Sequence, residues 1–205
     1  MKNFKWGTTS FYQDKEVHVV LFVSRNKDNK DIPDFKERRM SFITTEDKFS
    51  DSLYEQFINF VNGGVKDELS RMYYSVNSRD SQKIHKDFIH FLIDNPDFNL
   101  CYAAPKLAGI AAKKENALSK KWMFDFDSED KDKLEEFRKD IYEAYKKSCD
   151  KIILEPKGII KTYKTPHGYA VVVSNGFDTR ELLTKWSDVN LKRDDLLCVY
   201  WKEKL

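Results

Sequence analysis

The sequence predicts an α+β protein: an N-terminal α/β half (residues 1–105) and a C-terminal βαββαβ half (residues 106–205) around a mixed to antiparallel sheet, as one compact domain. Three observations predict it. Residues 17–24, Val-His-Val-Val-Leu-Phe-Val-Ser, are almost wholly apolar and rich in β-branched side chains, as in a strand covered on both faces. Two strand-like runs are each followed by an apolar stripe at helical spacing, Leu53-Phe57-Phe60 or Val61, then Ile84-Phe88-Phe91-Leu92. From Lys121 onward the elements follow the split ferredoxin-like or RNA-recognition-like order.

In chain order, a polar loop over residues 25–34 leads to Arg38-Arg39 and a second strand over residues 40–45. Arg38-Arg39 reads as a solvated strand edge more readily than as a phosphate clamp. Ser50 or Asp51 caps the first helix and Gly63-Gly64 stops it. Residues 72–76 form a strand. A helix from about Ser81 runs until Asn95-Pro96. Asn77 and Arg79 fall in the turn between them, where an Arg and backbone amides can hold a phosphate. A polar turn with Asp80 or Ser81 as N-cap is the stronger local reading. His85 and His90 are five apart, not the spacing of a metal pair, and read as surface residues. The Ala- and Lys-rich residues 107–118 read as a short helix or a loop over the site, and as the seam between halves. After it come a strand at 121–127 and a capped helix at 128–148 with Leu134, Phe137, Ile141 and Tyr145 inward. Strands at 151–154 and 159–163 surround Pro156-Lys157-Gly158, and a turn at 165–168 leads to a strand at 169–174. A helix carrying Leu182, Leu183 and Trp186 precedes the last strand, residues 196–201.

Composition bounds the function classes. Of 205 residues, 34% are charged and 40% hydrophobic, with 15 Phe and 10 Tyr, which fits an aromatic-rich globular chain. Lys+Arg (36) nearly cancel Asp+Glu (34), so the net charge of +2 hides rather than reveals any patch. Cys101, Cys149 and Cys198 lack CxxC or Cys/His spacing and read as reduced thiols. Residues 1–15 have no apolar signal-like segment and no run reaches membrane-spanning length. The expected location is the cytoplasm, with no membrane partner.

Residues 121–127, Lys-Trp-Met-Phe-Asp-Phe-Asp, carry the chemistry. Strand alternation puts Asp125 and Asp127 on one face and Phe124 and Phe126 on the other. Paired carboxylates at the end of an aromatic strand are costly unless a cation lies between them, and hard ions such as Mg²⁺ or Mn²⁺ favour such oxygens. Two solvated Asp leading into a helix cap is the competing reading. The strand order expected of this topology, 4-1-3-2, brings Asp125 and Asp127 beside Gly168-Tyr169-Ala170 and beside Asp194-Asp195.

Taken with Thr165-Pro166-His167-Gly168-Tyr169-Ala170 and Lys192-Arg193-Asp194-Asp195-Leu196-Leu197, the Met123–Asp127 motif resembles the archaeo-eukaryotic primase superfamily, in its small phage and mobile-element forms. The resemblance covers mainly residues 71–205. It implies a primase-like fold and nucleotidyl transfer in phage or plasmid replication, in the host cytoplasm if phage-encoded. Asp125, Asp127 and one of Asp194 or Asp195 would hold two divalent ions, Mg²⁺ or Mn²⁺, in the two-metal scheme. Thr165, Gly168, Tyr169, Ala170, Asn77, Arg79 and Lys164 would form the nucleotide site. Lys121, Lys161, Lys164 and Arg79 would line the acidic face and grip a triphosphate or template backbone. The implied partners are nucleoside triphosphates and single-stranded or primed nucleic acid, with a replication or host protein as a further one. The family pattern has a His where this chain has Ala170. Either His167 substitutes from the turn, or the nucleotide site is weakened, or polymerising activity is lost and the fold kept for binding nucleic acid or a host protein. No phosphate-cradling GxxxxGK[ST] and no nucleophile elbow is present.

Overall fold

The computed structural model describes residues 16–148 and 160–205. The strand expected over residues 151–154, its Pro-Lys-Gly turn, Ile159 and Cys149 lie outside the described residues, as do residues 1–15. Among the described residues the chain is α+β, with two antiparallel sheets and five α-helices.

The first sheet contains β1 (Glu16–Ser24), β2 (Arg38–Thr44), β3 (Leu69–Ser75) and β9 (Leu196–Glu203), in the order β2-β1-β3-β9, with β4 (Arg79–Asp80) paired to β1. The second contains β5 (Trp122–Phe126), β6 (Ile160–Thr165), β7 (Gly168–Val173) and β8 (Asn190–Lys192), in the order β6-β7-β5-β8. The expected order therefore holds with one correction. The three-residue β8, not the last long strand, flanks β5; β9 crosses to the first sheet and pairs with β3 from Leu69↔Glu203 to Ser75↔Leu196. The seven residues of β3 offer the eight of β9 a longer ladder than the five of β5 can. A single mixed sheet is thus replaced by two sheets that share the C-terminal chain.

Helices form where the stripes lie. In α1 (Asp51–Asn62), Ser50 accepts from the Leu53 amide as N-cap, and Leu53, Phe57, Phe60 and Val61 are buried. In α2 (Ser81–Asp94), Asp80 caps through the Gln82 and Lys83 amides, and His85 and His90 are exposed. The helix α3 (Ala103–Ala111) starts earlier than expected and covers no acidic site. Its Ala108, Ile110 and Ala111 pack with Val17, Val19 and Ile84. On the second sheet, α4 (Lys131–Ser148) and α5 (Arg180–Lys185) cover Phe124 and Phe126, which are 0% and 2% exposed. The opposite face of that sheet joins the first: Met123, Ala170 and Val172 pack in one core with Val20, Phe22, Met72 and Leu197. This leaves the acid-bearing face of β5 between the sheets.

Candidate active site between the two sheets

A cleft of about 480 Å³ opens between the sheets, and Asp125, Asp127 and Asp195 all line it. Register explains their meeting. Asp125 lies opposite Ala170 of β7 and Asn190 of β8, and the chain after β8 turns back to bring Asp195 in. Burial pushes the Asp125 carboxyl above its ordinary value, and the carboxylates of Asp127 and Asp195 add to that. Lys192 and His167 pull the other way. The three acids thus repel one another in a half-buried place, a condition a bound cation relieves. Among the described residues, no three His, Cys, Asp or Glu side chains form a group that could hold a metal ion. The acids share the cleft without forming the tight cluster expected.

Asp194 is placed differently from its neighbour. Arg79 grips both its oxygens at 2.8 Å, and the Asn77 amide donates to it at 3.1 Å. Asn77 also accepts from the Lys121 amide and donates to the Lys121 carbonyl, at 2.7 and 3.0 Å. Arg79 is 2% exposed and Asn77 1%. The three residues clamp the acidic turn and the start of β5 to the end of β3, and offer no surface to a phosphate. The stronger local reading of Asn77-Arg79, a polar turn capped by Asp80, is what the structure shows.

The hairpin of β6 and β7 brings Thr165 and His167 to the cleft. His167 stands 3.2 Å from Arg71 through Nε2. Gly168 closes the hairpin onto β5 with φ +157°. A Cβ there would meet the Phe126 carbonyl at 2.2 Å and the Ser128 amide at 2.7 Å, so only glycine lets the hairpin approach the acidic strand. Ala170, 1% exposed, packs in the core and also lines the cleft, directly opposite Asp125. Lys164 and Tyr169 lie outside the cleft: Lys164 bonds Glu129 at 2.6 Å with its ammonium over the Tyr169 ring, and Tyr169 packs on the helix-covered face.

The cations of the cleft are Arg25, Lys27, Arg39, Arg71 and Lys192 rather than the four expected. Lys121 and Lys161 line a separate pocket, Lys164 is on the surface and Arg79 is internal. Arg39 and Arg71 both register with Val23, forming a row across β2, β1 and β3 that faces the cleft. Arg71 is held by Asp28 at 2.7 Å, is 5% exposed, and its Nε has no hydrogen-bond partner among the described residues. A buried guanidinium with a spare donor beside a cleft is suited to an anionic ligand. Arg38, its neighbour's counterpart on the other face, is taken by Glu68 and by the Phe60 ring. The sequence signal for the Arg39–Val23–Arg71 row is alternation, but it becomes readable only once the pairing register is known.

Compared with known proteins, the chain matches no family model, no curated protein and no solved structure.

Proposed function

We propose that the chain is a metal-dependent nucleotidyltransferase of the archaeo-eukaryotic primase type, acting in phage or plasmid replication on nucleoside triphosphates and single-stranded or primed nucleic acid. One observation carries this reading: Asp125, Asp127 and Asp195 share an intersheet cleft with a row of arginines and with His167 at its hairpin edge. Oxygen donors crowded enough to repel suit Mg²⁺ or Mn²⁺, which would supply charge neutralisation at the transferring phosphate. Asp125, Asp127 and Asp195 would hold the ions, and Asp194 keeps their turn in place from behind. Arg39 and Arg71 would bind the phosphates of the incoming nucleotide. His167 takes the part that Ala170 cannot, from the turn.

The experiment is extension of a primed single strand with nucleotides and Mn²⁺. Incorporation that disappears in Asp125→Ala and Asp127→Ala supports the reading. Its absence from the unaltered chain, with single-strand binding that falls steeply as salt rises, supports a non-catalytic nucleic-acid-binding protein instead. Ala170 at the histidine position and the looser acid spacing favour that second reading.

A further inference from the structure

Beyond the acidic cleft, at the opposite end of the same face of β5, lies a second pocket of about 300 Å³, the size of a small-ligand site. Lys48, Lys121 and Lys161 line it with Asp47, His18 and Tyr163. We propose that this pocket binds a phosphate monoester, carried either by a free small molecule of nucleotide size or by the 5′ end of a nucleic-acid strand.

The charge count favours that class. Three ammonium groups against one lining carboxylate leave a surplus of two positive charges, and a phosphate monoester carries about −1.5 to −2 near neutral pH. Among the described residues none of the three lysines has a carboxylate partner. Lys48 instead stands over the Phe49 and Tyr163 rings. Burial lowers the Lys121 ammonium's pKa, and Lys161 and Lys48 lower it further, while Glu16 opposes them. Such crowding is unfavourable until an anion enters. The pocket is firmly built: Asn77 fixes the Lys121 backbone, and Tyr74, stacked on His18 at 4.5 Å, donates to the Glu46 carbonyl. Nδ1 of His18 lies 3.1 Å from the Ser75 carbonyl and 3.2 Å from the Ser75 hydroxyl, which holds the ring against β3. The ring is a built-in reporter of what enters.

The test uses the full chain with a chelator present, so that divalent ions play no part, and follows the His18 ring resonance by NMR. The probes are inorganic phosphate, AMP, and single-stranded tetrathymidylate with and without a 5′-phosphate. A saturable shift with AMP, or with the 5′-phosphorylated strand, supports the proposal and tells the two sources apart. Lys121→Gln and Lys161→Gln should each weaken binding roughly tenfold or more, the scale of one lost charge-assisted contact. Arg39→Gln, in the acidic cleft, should leave it unchanged. A His18 resonance unmoved by every probe would overturn the proposal. So would an equal shift with the unphosphorylated strand, or an equal loss in Arg39→Gln. Extension activity does not enter any of these readouts, so failure here and failure of the polymerase reading are separate results.

Discussion

The two ends of the inner face of β5 make opposite electrostatic choices. At one end three carboxylates share a cleft and burial raises Asp125; at the other three lysines share a pocket and burial lowers Lys121. Close to both lies a buried pair whose charges cancel, Arg79 with Asp194. The difference separates charges that hold the fold from charges that wait for a ligand. A buried ion pair that lines no cleft, as Arg79 with Asp194, has a structural task, whereas like charges left together in a cleft are tolerated for what they bind.

The largest effect should come from breaking the buried Arg79–Asp194 pair. Asp194→Ala strands the Arg79 guanidinium in the interior and should cost about 3–5 kcal/mol in chemical denaturation. Asp195→Ala, one residue on, should cost less than about 1 kcal/mol while abolishing Mn²⁺-dependent activity. Equal losses would erase the distinction. Next in size, Ala170→His should destabilise by about 1–3 kcal/mol through overpacking. It should bring little gain in nucleotide affinity, because His167 already stands at the cleft that Ala170 also lines. A gain measured by nucleotide titration would show that the core yields there.

A smaller effect of opposite sign is expected at Asp125. Its folded pKa is raised, so the folded state holds the proton more tightly than the unfolded chain does. Asp125 therefore adds stability as pH falls from neutral through its raised value toward the ordinary carboxylate range, and subtracts it above. Asp125→Asn should raise the melting temperature near neutral pH and abolish activity. Saturating Mn²⁺ should stabilise the unaltered chain more than the variant. The smallest effect belongs to His18, whose pKa is lowered by burial and then by Lys121 and Lys48, against the Ser75 carbonyl. Here the unfolded chain binds the proton more readily, so stability from this group is complete above its ordinary value of 6.5 and is lost as pH falls below it. His18→Gln should flatten that part of the pH–stability curve.

Much of this arrangement was legible in the sequence. Strand alternation placed Asp125 and Asp127 opposite the buried Phe124 and Phe126, and the helical stripes placed Leu53, Phe57 and Phe60 or Val61 inward, where the structure buries both of the last two. Side-chain chemistry narrowed the helix caps to Ser50 or Asp51 and to Asp80 or Ser81, of which the structure uses Ser50 and Asp80. What failed was pairing between distant strands. Leu196 to Trp201 reads as a buried strand whichever sheet it joins, so its transfer to β3 had no local signature. The same gap hid Arg39 and Arg71, whose common face is defined only by their shared partner Val23. Asp194 and Asp195 are adjacent and chemically identical; only the tertiary position of Arg79 makes one a fastener and leaves the other open to the cleft.

The crossing of β9 has a consequence for how the chain is made. Strands β1, β2 and β3 leave the ribosome well before β9, so β3 keeps a bare edge until residues 196–203 are available to pair with it. Until then that edge can recruit another strand, including one from a neighbouring nascent chain. The ladder is sealed when the Lys204 amide reaches the Glu68 carbonyl and its ammonium reaches the carbonyls of Asn62 and Gly64. Slow decoding of the codons for residues 196–204 would therefore prolong the interval in which the edge stays open.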